Sequence, residues 1–360
     1  MIQDKVIIFL ALLWIIASNS SGLGHSIANL RNTSPPKDPT DKRTLSMDSN
    51  NKKWLKFVLD KLEKKGIPRT KAYKLLAHKN IRLQPQLIAA NLGYISALKS
   101  LPRPGSSSPN QKYGLSKRQF LKRYGSFLKE VSERYRIPQE MILSILWVET
   151  RIGMDTGQYS VLNVYYNLTL LQHPEVFINV LSLVKKTYPN QSIFYIMKKA
   201  FLKSQWGLEE LKSTIRLPKQ GNVKPDSLNG SFAGAFGIPQ FIPSSYLSYA
   251  KDGDGDGLIN LFNMKDAIES TANYLSHMGW SDLKQSQHQA ILSYNNSKIY
   301  LNKVIYHSRK VYKDIYPTQM ENSGSGSPHN AIKKTSDTPT KKTLLERKVD
   351  QMTAIMNNRQ

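Results

Sequence analysis

Glu149 lies in a setting that would alter the chemistry of a carboxyl group. Ile142, Ile145 and Leu146 precede it by seven, four and three residues, and on a helix these positions share one face. A carboxyl group on an apolar face loses hydration, which raises its pKa. A carboxyl that stays protonated near neutral pH can donate a proton to a leaving oxygen, the step that cleavage of a glycosidic bond requires. Taken alone, a glutamate whose tip reaches solvent or pairs with Arg151 is the commoner arrangement.

A second feature is the stretch from Gly230 to Tyr246, in which small residues alternate with aromatic ones. Glycine lets the backbone approach a ligand, and aromatic faces can stack on it. Gln240 adds an amide that both donates and accepts hydrogen bonds, which suits sugar hydroxyl and acetamido groups. A tightly packed structural turn would explain the glycines, but it leaves Gln240 without a purpose. The stretch therefore predicts a ligand-contacting loop.

Alternating aspartates follow in the run from Asp252 to Ile259, which reads Asp-Gly-Asp-Gly-Asp-Gly-Leu-Ile. Acidic residues at positions 1, 3 and 5, glycine at 6 and isoleucine at 8 match the start of an EF-hand calcium loop. Position 12 is Asn263 rather than glutamate, and Asp266 at position 15 could close a slightly longer loop. A solvated Asp/Gly turn is the alternative. A single loop without a partner loop indicates a structural clip rather than a calcium sensor.

Two tyrosines flank a pair of amides further along the chain, where Tyr294-Asn295-Asn296 is followed by Tyr300. These side chains could line a sugar site, because such sites combine aromatic faces with a few polar groups. In isolation, however, the segment favours a surface turn.

Helical patterns dominate the region that carries these residues. Trp54, Val58 and Leu62 recur at helical spacing, the turn Gly66-Ile67-Pro68 ends that helix, and a second helix is predicted around Thr70 to His78. Three further helical segments are predicted at 120–135, from Pro138 through an apolar core segment at 141–148, and within 175–215. Strand signals are sparse.

Composition limits the classes of function. The 360 residues carry a formal net charge of +25 and include no cysteine. Without cysteine, the chain has no disulfide, no thiolate zinc site, no cysteine nucleophile and no attachment of lipid through an N-terminal cysteine. The positive charge favours polyanions such as nucleic acid, an anionic membrane surface or an acidic wall polymer. Nucleic acid is the disfavoured partner, because no nucleic-acid module is recognisable.

The two ends of the chain differ from its middle. The unbroken apolar run from Val6 to Ala17 follows Lys5, and its length is that of a signal-peptide core. Residues 1–21 are therefore predicted to be a signal peptide, or an anchor if they are not cleaved, and the protein is expected to be exported to the periplasm. Residues 22–51 are interpreted as a flexible linker, and residues 317–360 as a flexible basic tail containing a weak helical stripe.

Taken together, these segments resemble the membrane-bound lytic murein transglycosylase B family. The similarity covers about residues 52–316, and its blocks occur in the family's order. The matching blocks are Val148-Glu149-Thr150-Arg151, Gly230 to Tyr246, Asp252 to Asp266, Ala272-Asn273-Tyr274 with Gly279-Trp280, and Tyr294-Asn295 with Tyr300.

The resemblance implies an α+β, mainly helical fold, with a lysozyme-like core, an added helical domain and a small EF-hand-like calcium loop. An inserted helical subdomain is expected at about 165–225. The implied activity is non-hydrolytic cleavage between N-acetylmuramic acid and N-acetylglucosamine in peptidoglycan, leaving 1,6-anhydro ends. Glu149 would act first as acid and then as base. The implied substrate-contacting residues are Ser231, Gln240, Tyr294, Asn295 and Tyr300. The implied ligands of a structural Ca²⁺ are Asp252, Asp254, Asp256, the Leu258 carbonyl and Asp266.

Three departures from the family pattern are visible. Ile152 stands where the family usually has tryptophan, Pro239 stands where a glycine often precedes the glutamine, and the lipid-bearing cysteine of many relatives is absent. The alternatives are a hydrolase of the goose-lysozyme type, a catalytically silent wall-binding scaffold and a calcium-regulated signalling protein. Glycan strands are the expected partner, together with proteins of cell-wall synthesis or hydrolysis.

Overall fold

Helices make up most of the structure. The computed structural model describes residues 49–78, 80–101, 115–218 and 223–316, so the predicted signal segment, nearly all of the linker and the C-terminal tail lie outside the described residues. The elements in chain order are α1 (Ser49–Lys64), α2 (Arg69–Leu76), α3 (Pro85–Asn91), a 3-10 helix (Ile95–Ser100), α4 (Lys117–Tyr135), α5 (Gln139–Thr150), β1 (Tyr159–Ser160), α6 (Val161–Leu170), α7 (Pro174–Thr187), α8 (Ile193–Arg216), β2 (Asn229–Gly230), α9 (Pro243–Tyr249), α10 (Met264–His277), α11 (Lys284–Tyr294) and α12 (Lys298–Ile315). None of the described helices has both the length and the apolar character that crossing a bilayer requires.

The chain forms two compact units. The first takes its described residues from 1–102 and 162–215, and the second takes them from 103–161 and 216–360. The segment 162–215 thus interrupts the second unit in sequence and packs with the N-terminal helices.

The predicted N-terminal helices are confirmed in the first unit. Trp54, Val58 and Leu62 of α1 are buried, and the chain leaves the helix at Gly66, whose φ of 76° suits glycine. Within the inserted segment, α8 crosses α6 closely. A Cβ at Gly207 of α8 would lie 2.4 Å from the Leu168 side chain, so only glycine allows that approach.

Polar side chains join the inserted segment to the N-terminal part of the first unit. The Asn163 and Asn167 carboxamides of α6 accept hydrogen bonds from the backbone N–H groups of Arg82 and Gln84, at 3.0 and 2.6 Å. The Asn167 amide donates back to the Arg82 carbonyl at 2.9 Å. Because these groups are buried or half-buried, each bond prevents a desolvated polar group from remaining unpaired.

Helix α5 forms the centre of the second unit. Its residues from Ile142 to Leu146 have no exposed surface, and α12, α10 and α4 pack around it. The prediction of a core helix at 141–148 is therefore confirmed. The proline at 138 precedes the helix as its N-cap residue, rather than occupying the first turn.

The sheet is small. Strands β1 and β2 form one antiparallel pair, in which Tyr159 faces Gly230 and Ser160 faces Asn229. A Cβ at Gly157 would lie 2.2 Å from the Gly230 carbonyl, so glycine is required where the two segments meet. This strand pair places residues 159–160, which follow Glu149 by about ten residues, beside the start of the Gly230–Tyr246 stretch.

Candidate active site

Glu149 lies in the last turn of α5 and remains partly accessible. Burial raises the pKa of its carboxyl from 4.5 to about 7, and the nearby Tyr300 hydroxyl opposes part of this effect because it stabilises the charged form. The Tyr300 hydroxyl is itself buried and makes no regular hydrogen bond to the described residues. The carboxyl can therefore hold a proton near neutral pH, as its apolar helix face predicts.

Thr150 fixes the end of the helix that carries Glu149. Its buried hydroxyl donates to the Ile238 carbonyl at 2.8 Å and accepts from the Gly153 N–H at 2.9 Å. The next two residues, Arg151 and Ile152, both have positive φ, at 50° and 58°. A β-branched residue rarely adopts this conformation, so the tight turn after Glu149 is held by its surroundings, where Ile152 is fully buried.

The Gly230–Tyr246 stretch folds back on itself beside this turn. Gly230 pairs with Phe236, and Phe236 pairs with Phe241. The Ser231 N–H donates to the Ala235 carbonyl at 2.7 Å, and the Ser231 hydroxyl accepts from the Ala235 N–H at 3.2 Å. The predicted substrate residue Ser231 thus closes its own turn and keeps a hydroxyl hydrogen to donate.

The nitrogen and the oxygen of the Gln240 side-chain amide have different roles. Its backbone φ is 53°, and its side-chain nitrogen donates to the carbonyls of Gly237 at 3.0 Å and Thr156 at 3.2 Å. The nitrogen is therefore engaged by the backbone, and the side-chain oxygen is left as an acceptor. Sequence patterns give no signal for Thr156, whose contribution is a backbone carbonyl.

An aromatic group adjoins Glu149. The Tyr294 hydroxyl donates to the Pro239 carbonyl at 2.6 Å, and its ring lies nearly parallel to that of Tyr300, at 10° and 6.4 Å between centroids. Burial, with the negative charge of Glu149 next, raises the pKa of Tyr294 and of Tyr300 well above the ordinary value. Both tyrosines therefore stay protonated. The Tyr294 hydroxyl gives its hydrogen to the Pro239 carbonyl and can only accept from a ligand, whereas the Tyr300 hydroxyl can donate.

The structure places Tyr294 and Tyr300 beside Glu149. Gln240 lies two residues after Ile238, which accepts the hydrogen bond from Thr150, whereas Asn295 differs in setting. Tyr300 is only 7% exposed, so the surface turn favoured by the segment in isolation is wrong for this residue. Asn295 follows α11 as its C-cap residue and is exposed. Tyr274 is a neighbour to which the sequence pattern assigns no role, although its ring lies 4.8 Å from that of Tyr294.

Three of the predicted calcium ligands are close together. Asp252, Asp254 and Asp266 each offer a carboxylate oxygen, and these oxygens lie within 4.8 Å of one another. Asp256 is outside this trio, and its carboxylate accepts from the Leu258 N–H at 2.7 Å. The trio matches the hard oxygen ligands that Ca²⁺ takes in proteins.

Backbone donors hold the carboxylates of this loop in place. Asp252 accepts from the N–H groups of Gly255 and Gly257, both at 2.8 Å, and these bonds, with that of Gly257 largest, lower its pKa. Asp266 accepts from Gly253 at 2.8 Å and Asn260 at 2.6 Å. Even so, burial raises the pKa of Asp266 to about 6, and the neighbouring negative charges add to this effect. A divalent cation would relieve that crowding.

An ion pair anchors α10, the helix that begins near the aspartate-rich loop at 252–266. The Arg134 guanidinium donates to both oxygens of the buried Glu269 at 2.6 and 2.8 Å, and the Tyr135 hydroxyl donates to the same carboxylate at 2.9 Å. One guanidinium nitrogen thus bridges both carboxylate oxygens, and such charge-assisted bonds are stronger than neutral ones. It joins α10 to α4 one turn after Asp266.

A family match accounts for this combination of fold and site. Residues 50–290 match the model of a family described as the transglycosylase SLT domain, and the chain belongs to that family. The resemblance to the lytic murein transglycosylase B family is therefore confirmed.

A curated relative shares part of the chain. The membrane-bound lytic murein transglycosylase B of Escherichia coli strain K12 is 33% identical over 161 residues, which cover 45% of this chain and 37% of the relative. The chain thus spans little more than a third of that relative's length.

Solved structures share the fold. SltB3 from Pseudomonas aeruginosa, in complex with NAG-anhNAM-pentapeptide, is 19% identical, covers 73% of this chain and 80% of its own, and has a TM-score of 0.51. The Escherichia coli lytic transglycosylase Slt35 in complex with calcium is 20% identical, with coverage of 74% and 94% and a TM-score of 0.51. The predicted fold class, mainly helical and lysozyme-like, is confirmed by these similarities.

Proposed function

We propose that this protein is a lytic murein transglycosylase, which cleaves the β-1,4 bond between N-acetylmuramic acid and N-acetylglucosamine in peptidoglycan and leaves a 1,6-anhydro end. Family membership supports this proposal. SltB3 has been solved in complex with NAG-anhNAM-pentapeptide, so that protein binds a fragment with an anhydro sugar. The single observation that carries the proposal is the partly accessible Glu149 carboxyl, whose pKa is raised to about 7.

Glu149 serves as acid and then as base. The protonated carboxyl gives its proton to the glycosidic oxygen, and the bond from that oxygen to C1 of the muramic acid breaks. The substrate's own 2-acetamido group stabilises the positive charge on the sugar. The Glu149 carboxylate then takes the proton of the C6 hydroxyl while that oxygen bonds to C1, so that the enzyme returns to its protonated form.

This sequence of steps needs only one carboxyl group from the protein, because the substrate's acetamido group takes the place of the second carboxylate that most glycosidases use. The causes that set the pKa of Glu149 are burial and the Tyr300 hydroxyl. Tyr300 and Tyr294 remain protonated beside the acid, Tyr300 as a hydrogen-bond donor and Tyr294 as an acceptor. We assign contacts with the sugar hydroxyl and acetamido groups to these tyrosines, to the side-chain oxygen of Gln240, to Ser231 and to Asn295.

Digestion of purified sacculi tests the reaction. The protein is expected to release muropeptides with anhydro ends, which mass spectrometry separates from reducing ends by the mass of one water. A predominance of reducing ends would establish the goose-lysozyme type of hydrolase instead. Glu149→Gln should reduce the rate at least about 1000-fold, because the amide can neither donate nor accept the catalytic proton.

A matched control is Glu133→Gln, the same chemical change at an exposed position of α4. It is expected to leave the rate unchanged. Full activity in Glu149→Gln would overturn the site assignment, and a properly folded wild-type protein that releases no product from sacculi would support the silent scaffold.

We further propose a structural Ca²⁺ held by Asp252, Asp254, Asp256, the Leu258 carbonyl and Asp266. The crowding of three carboxylate oxygens within 4.8 Å supports a cation at this loop. The solved structure of Slt35 in complex with calcium shows that this neighbour binds the ion. The cation would neutralise the loop and take no part in the chemistry, which Glu149 performs alone.

The proposed substrate also bears on location. We propose that residues 1–21 direct the chain to the periplasm, where peptidoglycan lies, and that it is attached to the inner membrane only if this segment is not cleaved. The Escherichia coli relative is, by its name, membrane-bound. Fractionation of cells that express the full chain checks this, since recovery only from the cytoplasm would contradict it.

A further inference from the structure

A group of tyrosines lies on the surface of the first unit, the unit without Glu149. We call it the tyrosine cluster and define it as Tyr94, Ser96, Tyr188, Tyr195 and Lys199. The rings of Tyr94 and Tyr188 are 5.0 Å apart between centroids, and the hydroxyls of Ser96 and Tyr188 are 2.9 Å apart. The cluster therefore joins the 3-10 helix, the end of α7 and the start of α8.

Tyr94 forms the floor of the cluster. Its side chain is 7% exposed, and its buried hydroxyl has no hydrogen-bond partner among the described residues. A buried hydroxyl without a partner destabilises the fold, so packing alone gives no reason for tyrosine here. Burial, followed by the neighbouring Tyr195 and Tyr188, raises the pKa of Tyr94, so its hydroxyl stays protonated.

Lys199 lies between the rings. Its ammonium nitrogen is 5.0 Å from the centre of the Tyr195 ring and 5.8 Å from that of Tyr94. The absence of a side chain at Gly93 makes room for it, since a Cβ there would lie 3.0 Å from the nitrogen. No described acid forms a salt bridge with Lys199, so its hydrogens can be donated to a ligand.

The upper part of the cluster is open to solvent. Tyr188 and Tyr195 are 37% and 45% exposed, and aromatic rings exposed together mark interaction surfaces. Their faces can stack on the C–H face of a pyranose, while the hydroxyls and the ammonium group can bond its hydroxyl and acetamido oxygens. The lysine also complements a carboxylate beside the sugar, whereas no acidic residue of the cluster would repel one.

We propose that the tyrosine cluster is a second glycan-binding site, which takes N-acetylated hexose units of a peptidoglycan strand on a different unit from the one that cleaves it. The identity of the glycan rests on the proposed function. A sugar fits better than an apolar protein surface because each ring of the cluster carries a hydroxyl and the central residue is a cation without an acidic partner among the described residues.

Binding to purified sacculi tests the proposal without interference from cleavage if every variant also carries Glu149→Gln. Tyr195→Ala and Tyr188→Ala should each weaken binding about fivefold, as expected for the loss of one stacking contact. Because both side chains are substantially exposed, the variants should unfold at the parent temperature. The matched control is Tyr306→Ala, which removes a 54% exposed tyrosine of α12 in the second unit and should leave binding unchanged.

A soluble, uncharged chain of four β-1,4-linked N-acetylglucosamine residues identifies the ligand chemistry. In NMR titrations it should shift the resonances of Tyr188 and Tyr195, and the shift of Tyr188 should be lost in Tyr195→Ala. Unchanged binding of sacculi and of the oligosaccharide by both variants would overturn the proposal and leave a protein partner as the occupant.

The two proposals fail separately. A wild-type protein that makes no anhydro product while the cluster variants lose sacculus binding would refute the proposed reaction and support the cluster. If the cluster variants bind sacculi normally and the wild type produces anhydro ends in full, the second glycan-binding site is refuted and the proposed reaction is supported.

Discussion

At the scale of the residue, the cost of ionising Glu149 is set by its surroundings. Four buried apolar side chains precede it on α5, and removal of water from the carboxyl outweighs the stabilising effect of the Tyr300 hydroxyl on the charged form. The burial that keeps the Glu149 carboxyl protonated therefore also makes the stability of the folded protein depend on pH.

The direction of this sensitivity follows from the two pKa values. The carboxyl ionises at about 4.5 in the unfolded chain and at about 7 in the folded one. Between these values the folded state binds one proton more, so stability falls as pH rises from about 4.5 to 7. Glu149→Gln carries no such charge, and we expect it to gain about 3 kcal/mol over the wild type between pH 4.5 and pH 8.

Chemical denaturation at both pH values measures this difference. Glu133→Gln, at an exposed position, provides the reference, because it should show no comparable pH-dependent gain. An equal stability difference between Glu149→Gln and wild type at pH 4.5 and pH 8 would mean that the carboxyl is not destabilised by burial.

At the scale of the element, α10 connects the calcium loop to the aromatic group near Glu149. Asp266 lies in its first turn, Glu269 is clamped by Arg134 one turn later, and Tyr274 packs against Tyr294. A cation at Asp266 would thus strengthen the start of a helix whose other end supports the candidate site.

Calcium is therefore expected to raise the thermal unfolding temperature. At a concentration 100 times its dissociation constant, it would add about 2.7 kcal/mol to the free energy of unfolding. Asp254→Asn should abolish this response. In a chelator the variant should be at least as stable as the wild type, because one of three crowded charges has been removed.

Calorimetry with calcium, magnesium or a chelator distinguishes the outcomes. The control is Asp282→Asn, which removes an exposed charge outside the loop and should keep the full response. A calcium shift of equal size in Asp254→Asn and wild type would exclude this loop as the site.

At the scale of the whole molecule, positive charge is the dominant property. The formal net charge is +25, and in the second unit several cations converge. Burial, followed by the charges of Lys117, Lys310 and Lys303, lowers the pKa of His307. Lys117 also lies 4.7 Å from the centre of the Trp147 ring. This concentration of charge favours attraction to the carboxylates of wall peptides.

Binding of Glu149→Gln to sacculi should weaken severalfold when NaCl is raised from 0.1 to 1 M, because the screening length falls from about 10 Å to about 3 Å. Cosedimentation at several salt concentrations gives the slope of the binding constant against the salt concentration. Chitin, an uncharged glycan, is the matched control and should show little change. The same slope on both polymers would show that charge on the wall is not what attracts the protein.

The sequence predicts local features better than pairings between distant segments. The apolar period before Glu149 predicts its burial, and glycine and proline at 66–68 predict the end of α1. No local pattern connects Arg134 to Glu269, which lie far apart in the chain, or Gln240 to the Thr156 carbonyl. The calcium motif predicts alternating carboxylates but not the hydrogen bond from the Leu258 N–H to Asp256. A carboxylate in a loop can either accept a backbone hydrogen bond or bind a cation, and the sequence does not distinguish the two.

The insertion of residues 162–215 into the second unit has a consequence for biosynthesis. Tyr300 is made about 150 residues after Glu149, which at ordinary translation speeds takes about 8–30 s. During that interval the chain on the ribosome already contains Glu149. Gln240 is added only part of the way through, and Tyr300 is added at the end of the interval. The order of the segments therefore postpones the assembly of the candidate active site until Tyr300 has been made, without any separate inhibitor.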